Sequence, residues 1–302
     1  MITVLSGGTG SVKLVRGLAR TSKEDIAIIV NVGDNVWMHG LYVCPDVDTI
    51  LYGLAGILDE ERGWGIKGDS FHFLEQMKLL GEDVWFKLGD KDLATHILRT
   101  RLIKEGLSLS EATDIIRIKL GVRQKVLPAT NEPVETYVIT EVGKLHFQEF
   151  WVKRGGRDRV LGVEYKGAEY AKPAPEVLDS IARARRIIIC PANPITSIGP
   201  ILAIPSVKEE LTRAKEVVAV SPIIGSEAIS GPAGRLMKGL GIDVSSVGVA
   251  NLYSEFLDVM VIDEEDVKLK ERIEELGIKV FTTRILMRGR EDEERLARLL
   301  IW

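Results

Sequence analysis

Along this chain the spacing of hydrophobic positions changes repeatedly, and each change predicts a different element. Residues 2–5 (ITVL) form a short apolar run, followed by SGGTG and by SVKLVRGLAR, where apolar residues recur at three and four. The next run, AIIV within DIAIIVNVGDN, is apolar on both faces. A strand of that kind belongs inside a parallel sheet, so strand, glycine turn, helix and strand predict a βαβ unit with a right-handed crossover.

Residues 46 to about 120 predict helices in tandem. TILYGLAGIL, FHFLEQMKLLG and DLATHILRTRLIKEG keep the three-and-four spacing, and SLSEATDIIRIKLG opens on a serine cap and closes on Gly121. From 134 to 170 the period falls to two, and VETYVITE and KLHFQEFWVKR predict antiparallel strands turned by VGK. Beyond 175 come a helix, then RRIIIC, EVVAVSPIIG, LDVMVIDEED and IKVFTTRI as strands. PANPITSIGPILAIP reads as a loop entering a helix or turn, SGPAGRLMKGLG as a helix, and RGREDEERLARLLIW as the closing helix. Strands alternating with helices predict a Rossmann-like, doubly wound, mostly parallel α/β sheet. A helical insertion at about 46–125 and a small antiparallel β element complete the expected fold. The sequence has no internal repeat, low-complexity tract or linker, so residues 1–302 are expected to form a single α/β domain.

Composition narrows the function classes. The chain has 302 residues, 45% of them hydrophobic, enough for a full core. A net charge of −4 argues against broad attraction to nucleic acid. Cys44 and Cys190 show no metal-ligand spacing and predict free thiols in a reducing compartment. The chain opens directly on a strand, and no apolar run is long enough for a bilayer, so a cytoplasmic protein without a membrane partner is expected.

Three loops carry candidate chemistry. Ser6-Gly7-Gly8-Thr9-Gly10 lies between a strand and a helix, where backbone N–H groups and the helix N-terminus favour an anion. Its spacing is neither GxGxxG nor GxxxxGK[ST], which counts against an NAD-dependent oxidoreductase and a P-loop ATPase. The second loop, 191–200, contains Asn193, Thr196 and Ser197, and the third contains Ser221 and Gly225, with Ser230-Gly231-Pro232 just behind. All three follow predicted parallel strands, and ligands bind open α/β sheets at that edge. Asp46 and Asp48 fall on the same edge, with Asp34 nearby. Helix capping accounts for one of the pair, and a site for Mg²⁺ or for a transferred proton accounts for both. The segment 87–96, KLGDKDLATH, reads by itself as a capped helix start with surface charges. His39, His72, His96 and His146 lack zinc spacing, and Trp37, Trp64 and Trp85 are core residues or platforms for a planar ligand.

Together, SGGTGSVKLVRGL, CPDVDTILYGL, KLGDKDLATHI, HFQEFWV, NPITSIGPIL and SPIIGSEAISGPAG resemble the CofD family, the archaeal 2-phospho-L-lactate transferases of coenzyme F-420 synthesis. That resemblance runs in order from residue 3 to about 262. It implies a Rossmann-like, Mg²⁺-dependent homodimer. The donor it implies is lactyl-2-diphospho-5′-guanosine, and the acceptor is Fo, 7,8-didemethyl-8-hydroxy-5-deazariboflavin. The terminal ribityl hydroxyl of Fo attacks the lactate-side phosphorus, and GMP leaves. Carried onto this chain, Gly7, Gly8, Thr9, Gly10, Asn193, Thr196, Ser197, Ser221 and Gly225 hold the nucleotide and phosphates. Asp48, Lys87, Lys91 and Asp92 contact Fo, with Lys91 standing where the family has Arg. Asp46 and Asp48 are the catalytic and metal-binding pair, their roles interchangeable at this level. The alternative is a non-catalytic, nucleotide-binding regulator of the same superfamily.

Overall fold

The computed structural model describes residues 1–301. Seven strands form the central sheet: β1 (Ile2–Ser6), β2 (Ile26–Val30), β3 (Lys125–Pro128), β4 (Arg186–Ile189), β5 (Val217–Val220), β6 (Val259–Ile262) and β7 (Lys279–Thr282). Their spatial order is β3-β2-β1-β4-β5-β6-β7, and every pairing is parallel. The order reverses between β1 and β4, which opens a crevice beyond their carboxyl ends. Both inner strands are buried along their whole length, as their unbroken apolar runs require.

Helix α1 (Val12–Thr21) packs on the C-terminal helix Arg290–Ile301. The helices approach closely because Gly17 faces the backbone of Glu293, where a Cβ would collide. Arg16 joins them through a buried ion pair with Glu293. Trp302, in the predicted closing helix, lies outside the described residues.

Four helices fill the chain between the sheet's second and third strands: α2 (Pro45–Ala55), α3 (His72–Leu79), α4 (Asp92–Lys104) and α5 (Leu109–Lys119). Only α5 has the local cap its sequence predicts, a reciprocal Ser108–Glu111 box. The first turns of α3 and α4 are capped crosswise. Asp90 accepts from the backbone N–H of His72 and Phe73, while Asp69 accepts from those of Lys91 and Asp92. Each carboxylate serves the other segment's helix.

The small antiparallel sheet contains Glu135–Thr140, Gly143–His146 and Val160–Lys166. The strand expected over KLHFQEFWVKR stops at His146, and Glu149–Lys153 is a helical turn. Phe147 and Phe150, three residues apart, are both buried, and the helical turn puts them on one face. Two short hairpins have no counterpart in the sequence pattern: Val36–Met38 with Leu41–Val43, and Ile223–Ile224 with Glu227–Ala228. The edge strand β3, KVLP, is likewise too short to announce itself.

Candidate active site

A cavity of about 380 Å³ opens at the carboxyl ends of β1 and β4. Gly8, Thr9, Gly10, Asn193, Thr196, Ser197 and Ser230–Pro232 line one side. The glycines are required by close approach. A Cβ at Gly7 would strike Ser197, one at Gly8 would strike the Asp46 carboxylate, and one at Gly10 would lie 2.8 Å from the Pro191 carbonyl oxygen. Asn193 shapes the opposite loop by accepting from the N–H groups of Ile195 (3.0 Å) and Thr196 (3.3 Å). Its Nδ2 and the Thr196 Oγ1 are buried without protein partners, as donors kept for a ligand would be.

Asp46 and Asp48 both sit in the first turn of α2, yet neither side chain caps it. Asp46 points toward the glycine loop and accepts from Asn31 Nδ2 at 2.9 Å. Burial pushes its carboxyl up to about 6, against the hydrogen bonds from Asn31 and Gly8. Asp34 lines the same cavity, is 4% exposed, and has Oδ1 without a partner. Burial first, and the Asp46 charge second, raise Asp34 well above the usual carboxylate range. Among the described residues no Lys or Arg makes an ion pair with either acid.

Asp48 is arranged differently. Both its oxygens engage the guanidinium of Arg99 on α4, one of them at 3.0 Å. Arg99 is fully buried and also donates to the Tyr42 carbonyl at 3.4 Å. Burial works against the Arg99 charge, but Asp48 beside it raises the guanidinium above its ordinary value. His96, one turn earlier, lies 3.5 Å from Asp48 and 3.3 Å from Asp92. Tyr52 donates to Asp92 at 2.6 Å. Burial opposes ionisation of Asp92, but its contacts with His96, Tyr52 and Arg99 hold it below the usual range. Asp48, Tyr52, Asp92 and His96 thus form an internally paired polar seam between α2 and α4, along the cavity floor. A committed carboxylate makes a poor metal ligand, so the acids fitted to a divalent cation are Asp34 and Asp46.

The remaining wall is aromatic, formed by Trp64, Trp85, Phe86, Phe147 and Trp151. Lys87 is exposed at its rim. Lys91 is outside: its ammonium donates to the Gly68 carbonyl at 2.8 Å. Ser221 and Gly225 are outside as well. The Ser221 hydroxyl donates to the Ile223 carbonyl, and the Gly225 N–H donates to Asp266. Both order the hairpin whose far end supplies Ser230 to the cavity. Trp37 lies over Tyr42, away from the cavity. A larger cleft of about 520 Å³ occupies the opposite, amino-terminal edge of the sheet and is lined by surface charges of both signs. Sequence reasoning assigned no role to Asn31, Tyr52, His96 and Arg99. The spacing of Asp92, His96 and Arg99 on one face of α4 was the available signal.

A glycine loop and a polar turn at the carboxyl edge of a parallel sheet, beside two uncompensated acids, define a Rossmann-like protein with a candidate anion site. Known proteins make this specific. Residues 2–286 match the family described as 2-phospho-L-lactate transferase CofD. The 2-phospho-L-lactate transferase of Methanocaldococcus jannaschii is 46% identical, with 100% of this chain and 97% of that protein aligned. That of Methanopyrus kandleri is 49% identical, over 98% and 95%. A solved UPF0052-family protein of Bacillus halodurans has the same fold, at TM-score 0.68 and 18% identity over 100% of this chain and 98% of its own. The chain belongs to the CofD family of 2-phospho-L-lactate transferases and is a transferase. Its kinship lies with these enzymes, and the non-catalytic regulator is not favoured.

Proposed function

We propose that the protein is a cytoplasmic transferase that moves the 2-phospho-L-lactate group from lactyl-2-diphospho-5′-guanosine to the ribityl hydroxyl of Fo. The products are GMP and F-420 without glutamate. The observation that carries this is one cavity with a glycine loop and unpaired side-chain donors on one side, aromatic walls on the other, and acids between them.

Thr9 and Gly10 of the glycine loop hold the diphosphate through backbone N–H groups, and the Asn193–Ser197 turn holds it through its side-chain amide and hydroxyl groups, since its own N–H groups are taken up within the turn. Asn193 Nδ2 and Thr196 Oγ1, buried and unpaired, gain their partners there. Asp48, held in one orientation by Arg99, accepts a hydrogen bond from the acceptor hydroxyl and aims it at phosphorus, and the hydroxyl proton leaves to solvent as the new bond forms. The new O–P bond forms at the lactate-side phosphorus as the bond to the bridging oxygen breaks, and GMP carries that oxygen away. Such displacements depend on positioning and charge neutralisation more than on a strong base. Asp34 and Asp46 fit Mg²⁺, because their charges are unopposed and Asp34 Oδ1 is unpartnered. Mg²⁺, when bound, supplies neutralisation of the diphosphate and leaving-group charge. The homodimer implied by the family belongs to this proposal. Trp37, Ile97 and Ile118, each more than half exposed, are apolar side chains for a second copy to cover, and sedimentation measures that state.

Mixing the protein with Fo, the guanosine donor and Mg²⁺, with EDTA as control, tests the proposal by mass detection. Metal-dependent F-420 and GMP are expected. Tight nucleotide binding without product would overturn it.

A further inference from the structure

The segment between α2 and α3 contributes Trp64 and Gly65 to the cavity wall and is fastened along its length. Glu60 pairs with the buried Arg16 at 2.6 Å. Leu58 bridges Ile66, the Lys67 N–H donates to the Ile57 carbonyl, and Lys91 holds the Gly68 carbonyl. Asp69 then caps α4. At the centre is Arg62. Its guanidinium carbon lies 5.2 Å from the ring centroid of Trp64 and 5.2 Å from that of Phe71. It donates to the Ile66 carbonyl at 3.1 Å and pairs with Asp59 at 2.8 Å.

An arginine at the surface ordinarily spreads its donors into water, but Arg62 leaves its buried Nε unpaired and lies against both rings, which meet edge to face with centroids 6.5 Å apart. The contact covers one face of the Trp64 indole and fixes the ring's tilt. Trp64 itself is only half-buried and faces the cavity. We propose that Arg62 is a positioning residue that presents Trp64 as a platform on which a flat fused-ring acceptor stacks, so that the pair selects for the ring and not merely for a hydroxyl chain. This rests on the acceptor being Fo, as proposed above.

Two readouts test it: the Kd of Fo, from quenching of its own fluorescence on binding the full-length protein, and KM for each substrate. Trp64→Leu is expected to weaken Fo binding and raise the acceptor KM about tenfold, as loss of one stacking partner does. The donor KM and kcat should stay within about twofold, and Trp64→Phe, which keeps a flat ring, should stay within about threefold of wild type. Arg62→Met should reproduce much of the Trp64→Leu effect. The double variant should be no worse than Trp64→Leu alone, because Arg62 acts only through that ring. An unchanged Fo Kd in Trp64→Leu, additive effects, or an equal rise in donor KM would each overturn the inference. Wild-type protein that binds Fo without turning it over would overturn the transfer reading alone.

Discussion

Two pairs of carboxylates share one cavity and differ in almost every electrostatic respect. Asp34 and Asp46 stand at the glycine loop with no basic partner, and burial raises both. Asp48 and Asp92 stand on the floor, tied to Arg99, His96 and Tyr52, and Asp92 is lowered. Asp46 and Asp48 are two residues apart on one helix turn, so the difference comes from what the fold brings to each. A carboxylate without a counter-charge awaits one from outside, whereas a neutralised carboxylate is available to orient a substrate.

The comparison can be broken most severely at Asp46. Asp46→Asn should cut turnover about 10²- to 10³-fold, the usual scale for loss of an electrostatic partner of the transition state, while the folded protein is no less stable than wild type. A steady-state assay beside a thermal melt checks both halves. Asp48→Ala should act the other way round on stability. It leaves the fully buried Arg99 charge uncompensated, which costs about 3–5 kcal/mol. Chemical denaturation should therefore separate Asp48→Ala from Asp46→Ala clearly. Asp69→Ala sharpens the boundary of the floor, since loss of the cap on α4 costs about 1 kcal/mol.

The smallest effect is in pH dependence, measured with EDTA present. Asp46 holds its proton up to about 6 in the folded chain, against 3.8 as its ordinary value. The folded state therefore binds more protons over that window, and this contribution to stability is lost as pH rises through it. For Asp92, whose folded value is lowered, the contribution is lost as pH falls below the ordinary carboxylate range. Asp46→Asn should reduce the first slope, leaving the part that buried Asp34 contributes, and leave the second unchanged.

The sheet and the two loops that line the cavity, Gly8–Gly10 and Asn193–Ser197, were legible because their signals are local. An apolar run such as IIIC or AIIV, followed by glycine or proline, states both the strand and the turn within ten residues. The floor was not legible, because its partners meet across the chain. Asp48 and Arg99 are 51 residues apart, and nothing near either one names the other. The same holds for the crossed caps of Asp69 and Asp90, which made KLGDKD read as a self-capped helix start. Lys91, assigned to Fo through the family resemblance, donates in this structure to the backbone of the segment carrying Trp64.

The most direct test is a Mn²⁺ titration followed by electron paramagnetic resonance, with the diphosphate donor present. Asp46→Asn, Asp48→Asn and wild type would be compared. The account predicts that Asp46→Asn loses the bound-metal signal while Asp48→Asn titrates like wild type. Loss of binding in Asp48→Asn, with Asp46→Asn unaffected, would contradict it.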